Sequence, residues 1–95
     1  MIEVQSDNRW NVWRTYRADE LRREGLNGEW AAEHAKLEAR CRAAIECDLG
    51  PTMARRAPLG FAFDHASRSL KCIPGEGAGP VIRDIVSRLG GGTVL

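Results

Sequence analysis

From Asn27 to Gly50 the apolar residues recur at the period of an α-helix, and no other stretch constrains the fold as tightly. Trp30, Leu37, Cys41, Ala44 and Ile45 are separated by intervals that place them on one helical face, with His34 in the same stripe. Asn27 is suited to cap the first turn, where Glu29 meets the positive end of the helix dipole. Glu38 and Arg42 form an i,i+4 pair in the favourable orientation, and Gly50-Pro51 stops the helix. A row of small residues (Ala31, Ala32, Ala35, Ala39, Ala43) lies off the main stripe. Helix propensity accounts for alanine here. The sharper reading is a close helix–helix contact through Ala31, Ala35 and Ala39, with a second copy of the chain as a candidate partner.

The flanking segments read as sheet and a closing helix. Met1 to Gln5 alternates Ile2 and Val4 with polar residues, Ser6-Asp7-Asn8-Arg9 has turn chemistry, and Trp10 to Tyr16 alternates again. The expectation is an N-terminal β-hairpin with Trp10, Val12 and Tyr16 on one face. Trp13 then lies on the other, so either the sheet is covered on both sides or Trp13 faces a partner. Ala18 to Glu24 suits a helical turn or two ended by Gly25. Thr52 to Leu59 reads as a connecting loop. Gly60 to Asp64 and Leu70 to Ile73 make a second hairpin with His65 to Ser69 at its tip, and residues 74–79 form a glycine-rich link. Pro80 begins a last helix, Val81 to Leu89, ended by three glycines, with Thr93 to Leu95 as a short edge strand or a frayed end. The predicted architecture is α+β in the order ββαββα: a single domain over residues 1–95, with a small antiparallel sheet of two hairpins packed on a long central helix and a C-terminal helix.

Composition narrows the function classes. A formal net charge of +1 gives no global attraction to nucleic acid or anionic membrane, so any electrostatic site is a local patch. Arginine outnumbers lysine twelve to two, a skew that a GC-rich genome produces and that also supplies planar donors for interfaces. Three cysteines (Cys41, Cys47, Cys72) without a C-x-x-C spacing suit reduced thiols, and the absence of a leader or an apolar span reads as cytoplasmic.

No constellation names a reaction. Gly75 to Gly79 sits between a strand and a helix, where phosphate loops lie, but it lacks the dinucleotide fingerprint and the Lys-Ser/Thr pair, and Glu76 opposes an anion. His34 and Cys41 share a helix face two turns apart, about 10.5 Å, too far to share one zinc. No nucleophile stands beside a base in the sequence pattern, so neither a catalytic residue, a metal nor a cofactor is expected. The expectation is a small cytoplasmic binding protein acting through protein–protein contact, as an inhibitor, adaptor or regulatory subunit of the kind bacterial and phage accessory proteins supply. The alternative is a nucleic-acid-binding module using the arginine- and tryptophan-rich first hairpin. Both draw on Arg9, Trp13, Arg14, Arg17, Arg22 and Arg23, with Arg55 and Arg56 as a second basic point.

Overall fold

The central helix forms where its periodicity places it. In a computed structural model that describes residues 2–94, with side chains from Arg9 to Val94, helix α2 spans Gly28–Leu49. The Asn27 side chain accepts the Glu29 amide at its start (2.9 Å), and Gly50 ends it by donating to Glu46 O. Trp30, His34, Leu37, Cys41 and Ile45 are buried along it.

The N-terminal hairpin does not form. Residues Ile2–Arg23 are one helix, α1, and the expected turn at residues 6–9 lies inside it; Met1 lies outside the described residues. Trp10, Trp13, Arg17 and Leu21 follow one another at intervals of three, four and four, which is a helical stripe turned toward α2. Arginine at the third of those positions breaks its apolar character. The helix ends in a Schellman turn: Gly25 has φ +104°, Leu26 N donates to Leu21 O, and Gly25 N donates to Arg22 O, both at 3.0 Å. The chain then reverses, and α1 lies antiparallel on α2. Trp10 meets Glu46 while Arg17 meets Glu38, as a helical hairpin requires.

This hairpin explains the alanine row. Ala31 and Ala35 are buried with Ala18 and Leu21 of α1, and Leu26 packs against that cluster. Small side chains let the two helices approach, and Ala31, Ala35 and Ala39 are covered by their own chain rather than offered to a second copy.

The expected loop after Pro51 is instead a short helix, α3, Pro51–Arg56. Pro51 occupies the first turn, where its missing N–H is no loss, and Ala54 is fully buried. Strands β1 (Leu59–Asp64) and β2 (Ser69–Pro74) form the second hairpin, with Phe61 opposite Cys72 and Phe63 opposite Leu70. The Asp64 carboxylate accepts the Ala66 and Ser67 amides at the tip. Helix α4 (Pro80–Leu89) buries Ile82, Ile85 and Val86, and β3 (Gly91–Thr93) returns antiparallel to β2, so the sheet order is β1-β2-β3. Over the described residues the fold is thus four helices with a three-stranded antiparallel sheet, not two hairpins and two helices. Leu70 and Cys72 of β2 join Leu37, Cys41 and Ile45 of α2 and Ile85 of α4 in the main core.

Candidate functional site

Helix α1 carries most of the residues that the sequence singled out, and the structure divides them among three sides. On the inward side Trp10 is buried and stacks edge-on against the half-buried Trp13, ring centroids 5.3 Å apart. The Trp10 indole donates to Glu46 Oε1 (3.1 Å), and Arg9 reaches the same carboxylate at 3.4 Å. Trp13 is therefore part of the helix–helix seam.

Beside the tryptophans lies a buried ionic network. Glu38 on α2 is 4% exposed. Arg17 Nε donates to its Oε1 at 3.1 Å, and Arg42 Nε donates to its Oε2 at 2.9 Å. Arg17 also pairs with Glu20. Arg42 continues outward, donating to the carbonyls of Ala54, Arg55 and Ala57 at the end of α3. One carboxylate thereby ties α1 to α2, and its second arginine ties α2 to α3. Arg17, predicted as a partner-binding residue, is engaged inside the molecule.

His34 borders this network. Its ring lies on Phe61, centroids 3.8 Å apart, and its Nδ1 stands 3.6 Å from Glu38 Oε1, beyond hydrogen-bond reach. That nitrogen has no hydrogen-bond partner among the described residues. Burial holds the imidazole below its ordinary pKa; Glu38 pulls it up and Arg17 pushes it down. The folded chain binds this proton less readily than the unfolded chain does. Its contribution to stability is therefore complete above about pH 6.5 and is lost as the pH falls below that value. Thermal melts should show a lower Tm at about pH 5 than at about pH 7.5, with the difference reduced in His34→Gln. An unchanged difference in that variant would assign the pH dependence to other groups.

The second side of α1 faces outward. Val12 is 57% and Tyr16 70% exposed, one turn apart, with Asp19 and Arg23 continuing the same stripe. The sequence reading placed Val12 and Tyr16 on one face with Trp10, because it read a strand; the helix puts them on the side opposite Trp10. Read at a period of 3.6, their offset from the Trp10–Trp13–Leu21 stripe is visible in the sequence.

The third side is a groove between α1 and α2, formed by two adjoining hollows of about 430 and 400 Å³ that share Arg14 and Lys36. Arg22 lies toward one end and Arg40 toward the other. Arg22 pairs with Asp19 and donates to Gly28 O, while Arg40 donates to Leu89 O and Gly91 O at 2.9 Å, capping α4. Arg55 and Arg56 are exposed in the last turn of α3, away from this groove. The predicted basic residues therefore do not form one patch. Lys36 and Arg40, which the sequence reading passed over, complete the groove; a helical reading of residues 10–23 would have brought them opposite Arg14.

The remaining reactive side chains fall elsewhere. Cys41 and Cys72 are both buried, and the neighbouring Cys41 thiol together with burial pushes the Cys72 thiol above its ordinary pKa. His65 packs on Trp30 at the hairpin tip (4.9 Å). Among the described residues no group of three histidine, cysteine or acidic side chains could hold a metal, and no helix is long and apolar enough to cross a membrane. The chain matches no protein family, no curated protein and no solved structure.

Proposed function

We propose that this is a small non-catalytic binding protein that works through protein–protein contact, as an inhibitor, adaptor or regulatory subunit, and that the outward face of α1 is its contact surface. The observation that carries this reading is the exposure of Tyr16 and Val12 on adjacent turns of a helix packed chiefly on α2. Interface centres are enriched in tyrosine and arginine, and this stripe combines Tyr16 with Val12 and Arg23. The helix is also held rigidly. The Arg17–Glu38–Arg42 network and the Trp10–Glu46 hydrogen bond set its rotation, so the outward residues are presented in one arrangement and little ordering is needed on binding.

A benzophenone amino acid replacing Tyr16, expressed in the source cells and irradiated, tests the reading. The expected result is one discrete crosslinked protein that does not form when the same group replaces Ser87, an exposed position on α4. Equal crosslinking at both positions, or none at position 16, would contradict the proposal.

A further inference from the structure

The groove between α1 and α2 has a chemistry different from that of the outward stripe. Its floor is lined by small side chains, Ala18 from α1 and Ala32, Ala39 and Ala43 from α2, so it lies below the longer residues of either wall. Cations stand along it. From Trp10 to Arg22 the α1 wall runs about 18 Å at the helical rise. Glu33 is the one acid among its lining residues.

Arg14 and Lys36 differ from the other cations of the helical hairpin except Arg23, which lies on the outward stripe and does not line the groove. Arg9, Arg17, Arg22 and Arg42 each have a carboxylate, and Arg40 is satisfied by two carbonyls. Arg14 and Lys36 have neither a carboxylate nor a carbonyl partner among the described residues, and both line both hollows. Two cations outside any ion pair converge on one open groove, and with Arg22 and Arg40 they outnumber its single lining acid, Glu33, so the groove is net positive.

We infer that this groove is a second binding site, one that takes the phosphodiester backbone of a single nucleic-acid strand, without sequence selection, between Arg14 and Lys36. A duplex is too broad to enter a furrow between two packed helices, whereas an extended strand lies along it. Arg22, the Arg14–Lys36 pair and Arg40 succeed one another along the groove, as phosphates recur along a strand; the alanine floor offers no donor or acceptor with which to read a base, and of the polar side chains Asn11 and Thr15 on the α1 wall the Thr15 hydroxyl is taken by Asn11 O. The site does not depend on the outward face of α1: the stripe of Val12 and Tyr16 is not part of the groove lining.

The test is fluorescence anisotropy of the full chain with labelled oligothymidylate and oligouridylate of roughly 12 nucleotides. Binding should weaken about tenfold or more between about 50 and 200 mM salt, as expected when two to four phosphates are neutralised on a single strand. Arg14→Glu combined with Lys36→Glu should abolish binding. Arg55→Glu combined with Arg56→Glu makes the same change in net charge on α3 and should leave most of it, as should Val12→Asp combined with Tyr16→Glu. Circular dichroism checks that each variant keeps the fold. The inference is overturned if no binding occurs at low salt, or if the α3 variant loses as much as the groove variant. It is equally overturned if tripolyphosphate displaces the strand at matched phosphate concentration, which would mark a free-anion site, or if oligoglutamate binds more tightly than either strand, which would mark a site for an acidic protein segment.

Discussion

Glu38→Ala should lower the melting temperature by roughly 12 °C or more, equivalent to about 3 kcal/mol in a domain of this size. The substitution removes one carboxylate that is 4% exposed from between two guanidinium groups whose side chains are only 26% and 13% exposed, leaving Arg17 with the exposed Glu20 and Arg42 with neutral carbonyls alone. A buried ion pair contributes little net stability over an apolar replacement, because desolvation offsets most of the Coulomb attraction; removing one partner leaves the other charge uncompensated. The geometry concentrates that effect. Arg17 comes from α1, Arg42 reaches the end of α3, and among the described residues Glu38 is the one carboxylate common to both. Arg17→Met should cost less than Glu38→Ala, since Arg42 would still neutralise Glu38. Thermal melts of the two variants check this ordering. A shift of a degree or two in Glu38→Ala would mean that solvent reaches both arginines and that the network does not anchor α1.

Gly90→Ala should be the second most damaging change, by about 2 kcal/mol. Gly90 caps α4 with φ −83°, a conformation any residue adopts, so the requirement lies in space rather than in backbone freedom. A Cβ there would stand 2.4 Å from Val86 O and 2.8 Å from Cys72 O. Neither carbonyl can give way easily. Val86 O accepts the Gly90 amide at 2.8 Å, and Gly90 O accepts the Cys72 amide at 2.7 Å, joining the end of α4 to β2. Denaturant titration should show a lower midpoint with an unchanged slope. Gly91→Ala, where an added Cβ meets nothing within 4 Å, is the matched control and should be close to neutral. Equal losses at both positions would place the effect in chain flexibility instead.

How much of this was legible in the sequence depends on what each helix buries. The faces of α2 and α4 are apolar at the helical period, and their start signals, Asn27 as the cap of α2 and Pro80 in the first turn of α4, are of the expected types, so both helices were readable. The second hairpin was readable from the alternation of Phe61 and Phe63. Helix α1 was not, because its inward stripe includes Arg17 and its outward face carries Val12 and Tyr16; the apolar residues are spread around the helix, and over seven residues they mimic strand alternation. The arginine belongs inside only because Glu38, 21 residues away, waits for it. Such a pairing is a tertiary fact that local patterning does not carry. The same misreading hid the groove, since Arg14 meets Lys36 only when residues 10–23 form a helix antiparallel to α2. The alanine row is visible in the sequence, but only the fold shows that its partner is α1 of the same chain.

Protein binding by the outward face of α1, as proposed, is tested most directly by the affinity of the purified pair once the crosslink at position 16 has identified the partner. Titration calorimetry should show that Val12→Asp combined with Tyr16→Glu weakens binding by a hundredfold or more, equivalent to about 2.7 kcal/mol. Because both positions are exposed, the melting temperature should stay within a few degrees of the parent chain. Undiminished affinity in a folded double variant would contradict the account and move the contact surface off α1.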